Sequence, residues 1–185
     1  LLATSEEAGS PAILPGPVWS PRGDWIACYL TDGSATWVGL INPGLTEPLS
    51  SFELWGTFGG RESPELEFIW SPDGSHLAVL TTDPSLGQQT TILHTGDVPL
   101  SGNDPVAHPE WQSLVQLEPA VQFIRLAWSP DGRRIAFVTG SEIWEVDVSG
   151  ETVLRKSFSM PELEWTTLEW SPDGRGFLVG VEWVY

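Results

Sequence analysis

Basic residues are scarce in this chain of 185 residues: 8 Lys and Arg stand against 25 Asp and Glu, the formal charge is −17, and Lys156 is the single lysine. Nucleic-acid affinity rests on clustered Lys and Arg that displace counterions, and anionic membranes select the same residues. The charge balance therefore argues against both partners. Cysteine is nearly missing as well. Cys28 alone excludes an internal disulfide and a thiolate zinc site. Its place in the run Trp25-Ile26-Ala27-Cys28-Tyr29-Leu30 marks it as a small buried hydrophobe. No stretch approaches the ~20 apolar residues of a membrane-spanning helix, and the first residues show no basic segment followed by an apolar one. Neither a convincing 3.6-residue helical period nor a Gly-x-Ser-x-Gly elbow, phosphate loop, dinucleotide fingerprint or His-Glu-x-x-His string occurs. His76, His94 and His108 fall in different parts of one region, so a shared metal site would require a coincidence of loop folding. No metal, cofactor or catalytic residue is expected.

What the chain has in excess is tryptophan, with 11 copies, and turn formers, with 19 Gly and 16 Pro. A residue as large as Trp at that frequency points to a repeated packing role, and apolar residues, at 41%, are sufficient for a core. Self-similarity then organises everything. Trp-Ser-Pro-x-Gly occurs at Trp19–Gly23, Trp70–Gly74, Trp128–Gly132 and Trp170–Gly174, at intervals of 51, 58 and 42 residues. Periods in the forties and fifties belong to four-stranded propeller blades. Ser-Pro-Asp-Gly suits a type I turn: Ser at the first corner, Pro fixing φ at the second, Asp tolerated at the third, Gly where a left-handed backbone is needed. Asp73, Asp131 and Asp173 recur in three copies; the first copy has Arg22 there, and Asp24 is expected to replace the missing carboxylate. One carboxylate per turn is far from a calcium loop.

Each motif reads as a hairpin. Phe68 and Trp70, Leu126 and Trp128, and Leu168 and Trp170 share a face of the strand before the turn. The strand after it, as in HLAVL or RIAFV, is apolar on both faces, as a strand between two neighbouring sheets must be. Third strands are expected at Trp37–Ile41, Thr91–His94 and Ile143–Asp147, and more polar outer strands at Ser51–Trp55, Ser113–Leu117 and Thr152–Phe158. Asp83–Gln89 and Gly96–Gln112 read as long loops of the second blade. All four motif tryptophans are expected to lie largely buried between blades.

The expected architecture is all-β: a propeller of four-stranded antiparallel blades, three and a half to four in number, forming one domain over residues 1–185 with blades starting near Trp19, Trp70, Trp128 and Trp170. Closing a ring within this chain would leave 34 residues for the last blade, where the shortest complete one has 42. Leu1–Thr4 and the Pro-rich Pro11–Pro17 are enough for one further strand of that blade, not two. A segment of a larger propeller, or a homodimer that completes the ring, is expected over a strained four-bladed ring.

WSPDGSHLAVL and WSPDGRRIAFV resemble the WD-like repeats of TolB-type β-propellers, and related blades occur in prolyl-oligopeptidase-type and tricorn-type peptidases. The resemblance covers nearly everything from Trp19 onward. It implies the fold, and it suggests a periplasmic or extracellular setting, while the motif residues themselves build blades rather than sites. The candidate binding face comes from a different signal. PELE occurs at Pro64–Glu67 and again at Pro161–Glu164, each before an innermost strand, with Glu118 at the matching place before the third blade. Glu62, Glu65, Glu67, Glu118, Glu162 and Glu164 would ring the channel mouth, with Arg61 as the lone base. Such a ring attracts a basic peptide or a cation. The expected function is a non-enzymatic interaction module that binds a protein or peptide through this loop face; the alternative is a non-catalytic propeller segment of a prolyl-oligopeptidase-type or tricorn-type peptidase.

Overall fold

A computed structural model describes residues 12–13, 16–31, 36–43, 67–83, 90–98, 111–117, 125–139, 142–157 and 163–183. Among them every regular element is a strand, and each Trp-Ser-Pro-x-Gly motif joins two strands of one antiparallel sheet. Blade one contains β1 (Ala12–Ile13), β2 (Val18–Trp19), β3 (Ile26–Thr31) and β4 (Thr36–Ile41). Blade two is complete, in the order β5 (Glu67–Trp70), β6 (His76–Asp83), β7 (Thr90–Asp97) and β8 (Trp111–Leu117). Blade three repeats it with β9 (Leu126–Trp128), β10 (Arg134–Thr139), β11 (Glu142–Asp147) and β12 (Thr152–Ser157). Blade four shows β13 (Leu163–Trp170) and β14 (Phe177–Trp183).

The expected third and outer strands appear in these places, with three adjustments; Ser51–Trp55 lies outside the described residues. First, the strands of blade two run further than their polar sequence suggests. His76 pairs with Asp97 and Asp83 with Thr90, so Asp83, Gly96 and Asp97 belong to strands, as do Trp111 and Gln112. A long β6 offers a full ladder of partners, and that outweighs the weak strand propensity of Gly and Asp. Second, the Pro-rich segment does not feed a closing blade. Ala12 and Ile13 pair with Thr31 and Leu30, while Val18 and Trp19 pair with Ala27 and Ile26. β1 and β2 thus pair with the same strand, and Pro17, just before β2, has no N–H for a ladder. Third, PELE enters the strands: Glu67 opens β5 and Glu164 is the second residue of β13.

The second strand of each blade presents alternate residues to its two neighbours. Ala27 packs with Phe68, Leu77 and Val79 of blade two; Ala78 and Leu80 pack with Leu126, Trp128, Ile135 and Phe137 of blade three; Ala136 and Val138 pack with Leu168 of blade four. A small Ala at the same position of three successive blades lets the next sheet approach closely. Arg134 adds a polar pin. Its guanidinium lies 4.8 Å from the centre of the Trp170 ring and its Nη1 donates to buried Glu145 at 3.1 Å. His76 occupies the same place in blade two, 6.3 Å from the Trp128 ring.

Two contacts recur at every junction. The indole N–H of Trp70 donates to the carbonyl of Val18 at 3.2 Å, that of Trp128 to Ile69 at 3.3 Å, and that of Trp170 to Ala127 at 2.9 Å. Each acceptor is the residue just before the preceding blade's motif Trp. A Cβ placed on Gly74 would lie 3.3 Å from Pro21, on Gly132 3.9 Å from Pro72 and on Gly174 3.8 Å from Pro130, so each turn rests on the one before it. Burial of all four tryptophans does not follow. Trp128 is 8% exposed, Trp70 and Trp170 are half-buried, and Trp19 is 55% exposed. Among the described residues no blade precedes β2, so its indole has no sheet to enter.

Replacement of Trp128 by Ala removes a buried ring and an indole hydrogen bond, and is expected to cost about 3–5 kcal/mol. The same change at exposed Trp19 should stay within ~1 kcal/mol for the isolated chain. Urea melts of the two variants check this; equal losses would show that exposure does not govern the role of the motif Trp.

Candidate binding face

The two ends of the blades differ in how their polar groups are used. At the motif end each turn is closed by the Gly N–H donating to the Ser carbonyl at 2.9 Å in all four copies, with Gly φ between 67° and 75°. The Ser side chain is occupied twice. Its Oγ accepts the N–H of His76, Arg134 and Gly176 at 2.9 Å in blades two to four, and donates to Asp73, Asp131 and Asp173 at 2.7, 2.6 and 2.6 Å. In blade one Ser20 donates to Asp24 at 2.7 Å, and Arg22 Nε lies 3.0 Å from the other oxygen of the same carboxylate. Asp24 therefore does replace the missing turn carboxylate. The N–H of Ser75 holds the Asp73 carboxyl at about 2, assisted by the hydroxyls of Ser75 and Ser71. Asp131 and Asp173 are lowered chiefly by Ser129 and Ser171 and then by the N–H of Arg133 and Arg175. These carboxylates are consumed by the turns.

One further constellation on this end was not legible as a motif. Ser75 Oγ is 2.6 Å from His76 Nδ1, and His76 Nε2 is 2.9 Å from Asp97 Oδ1. It has the order of a nucleophile relay, but Ser75 Oγ is also 2.7 Å from Asp73, whose carboxylate is the stronger acceptor for the one hydroxyl proton. His76 and Asp97 are a cross-strand pair on the exposed end of β6 and β7. The arrangement serves the turn. Cys28 is buried, and burial pushes its thiol up to about 11, away from reactivity. Burial also lowers His94, whose Nδ1 is 3.2 Å from Ser113 Oγ. Among the described residues no three His, Cys, Asp or Glu side chains come together as metal ligands.

Two residues of the expected acidic face, Glu67 and Glu164, are among the described residues, at the opposite end of the blades. Glu67 stands there at the start of β5, beside the end of β6 that leads toward residues 84–89. It lies close enough to half-buried Tyr29 of blade one that its charge joins burial in raising the phenol; Tyr29 in turn meets Phe68 edge-on at 4.9 Å. Glu164 lies opposite Glu182 in the β13–β14 register, near the same end of blade four. Arg61, Glu62, Glu65, Glu118 and Glu162 lie outside the described residues. A base that the sequence reading did not count stands at this end of the blades. Arg125, immediately before β9, occupies the place Glu67 has in blade two, and its Nε reaches the carbonyl of Thr166 in blade four at 3.5 Å. Counting three residues back from each motif Trp would have found it.

With this geometry the chain matches solved propellers. TolB from Acinetobacter baumannii superposes with a TM-score of 0.58 at 17% identity, over 91% of this chain and 37% of that one. The propeller domain of Cps50 (Swd1) from Myceliophteria thermophila gives 0.59 at 19% identity, over 88% and 46%. Prolyl oligopeptidase B from Galerina marginata gives 0.56 at 14% identity, over 93% and 27%. The fold is that of a β-propeller. The chain spans less than half the length of each of these structures. No family model matches the sequence, and no curated protein does.

The turn aspartates predict acid sensitivity. Their folded pKa values lie below the unfolded value near 4, so their contribution is present above that value and is lost as pH falls below it, for Asp73 toward about 2. Thermal melts from pH 5 down to pH 2 should show a falling midpoint, and the combined Asp73→Asn, Asp131→Asn, Asp173→Asn variant a shallower fall. An unchanged slope would place the acid sensitivity elsewhere.

Proposed function

We propose that this chain is a non-enzymatic propeller module that binds a basic peptide or protein segment through the face bearing Glu67 and Glu164. The observation that carries the reading is the division of labour between the two blade ends. The turn carboxylates are bound within their own turns, whereas Glu67 and Glu164 stand at the opposite end of their blades in a chain whose overall charge is −17. The propeller fold supports it, because inner-strand ends around a central channel gather side chains from several blades into one surface. The likeness to prolyl oligopeptidase B supports the second reading, a propeller segment that serves a peptidase without supplying its chemistry.

Fluorescence anisotropy with a labelled octalysine peptide tests the first reading. Binding is expected to weaken several-fold between about 20 mM and about 200 mM salt, as the Debye length shortens. Glu67→Gln combined with Glu164→Gln should weaken it several-fold at low salt, and Asp97→Asn on the turn end should leave it unchanged. Loss of binding with Asp97→Asn alone, or crosslinks confined to the Ser-Pro-x-Gly turns, would overturn the assignment.

A further inference from the structure

The residue six places after a motif Trp lies at the junction with the next blade, and its chemistry changes from one junction to the next. Trp25 is buried in a cluster against which Trp70 packs. His76 stands 6.3 Å from the Trp128 ring, tilted by 41°, and Arg134 sets its guanidinium 4.8 Å from the centre of the Trp170 ring. These are an apolar ring, an imidazole and a permanent cation. Of the three, the imidazole is the one whose charge changes near neutral pH. The hydrogen bonds around His76 fix how many protons its ring holds. Asp73 is an acceptor only, since its carboxyl is held at about 2. The 2.7 Å contact between Ser75 Oγ and Asp73 Oδ1 therefore commits the single hydroxyl proton to Asp73. Ser75 Oγ also lies 2.6 Å from His76 Nδ1, where it is left to accept, so Nδ1 donates. Across the ring Nε2 lies 2.9 Å from Asp97 Oδ1, and a carboxylate likewise only accepts. A ring whose two nitrogens both donate is an imidazolium.

We propose that His76 is a proton-operated clamp on the junction between blades two and three. With both ring nitrogens protonated it bridges the motif turn of blade two to Asp97 of β7 and sets a cation beside Trp128, as Arg134 does permanently beside Trp170. Loss of one proton removes a bridge, because the bare nitrogen then faces either a carboxylate or a hydroxyl whose proton is committed to Asp73. It also removes the charge beside the indole. The titratable groups that meet the ring are Asp73 of its own turn and Asp97 of the neighbouring strand, and from blade three the group that meets it is the Trp128 indole. That indole is the one whose N–H reaches Ile69 of blade two, so the clamp steadies the pin that joins the two blades. Its contacts favour the proton-bound ring in the folded chain alone. Their contribution is therefore complete on the acid side of the range around pH 6.5 where imidazoles titrate, and is lost as pH rises through it. The clamp is separate from the acidic face and does not depend on it.

A double-mutant cycle of His76→Gln and Asp97→Asn, read from urea midpoints at about pH 5.5 and about pH 8.5, is the test. Asp97→Asn alone is expected to lower the midpoint by about 0.3 M at the lower pH. The same change should leave the midpoint unmoved at the higher pH, and at both pH values when His76 is already Gln. Nuclear magnetic resonance of the parent chain supplies a second reading that needs no loss of stability. The indole N–H resonance of Trp128 should shift between the two pH values and stay in place in His76→Gln, while that of Trp170, beside Arg134, should hold still in both. An equal loss from Asp97→Asn at both pH values would overturn the proposal, because a neutral ring that donates from Nε2 and accepts at Nδ1 would give that result. So would a loss that persists in the His76→Gln background, no loss at either pH, or a Trp128 resonance that shifts just as far without His76.

Discussion

The indole hydrogen bond between neighbouring blades is the constraint from which the rest follows. A blade's inner strand is a sheet edge, and an edge carbonyl left dry and unpaired costs free energy. Tryptophan answers with one side chain that fills the wedge between two sheets and also carries a donor at its far rim. Phenylalanine would fill the space and leave the carbonyl bare. The donor must reach the carbonyl just before the previous motif, so every Trp is required at the same height on its strand. That requirement explains why the turn follows it immediately in all four copies.

The turn is rigid for the same reason. A ring delivered between sheets to within hydrogen-bond distance of one atom tolerates little rocking of the hairpin that carries it. The serine hydroxyl, accepting from the start of the second strand and donating to the aspartate, ties both strands to the corner. The aspartate then takes a further N–H beyond the corner. The serine and aspartate side chains of the described turns are thus engaged in holding the corner. The other end has no such obligation, since its connections differ in length from blade to blade, and that freedom is what a binding surface needs.

The local part of this was legible in the sequence because it repeats locally. The four turns, the alternation before each Trp and the substitution of Asp24 for a turn carboxylate depend on residues fewer than six positions apart. The junctions were not legible in the same way. That Arg134 lies over Trp170, that His76 approaches Trp128, or that Arg125 reaches Thr166 depends on partners some 36 to 52 residues away, with no pattern in either segment alone. The strands of blade two misled for a related reason. Thr95-Gly96-Asp97 has loop composition, and only the matching length of β6 makes it a strand. Trp19 is the most instructive case: its motif is as good as the others, yet its burial is a property of a neighbour, not of its own sequence.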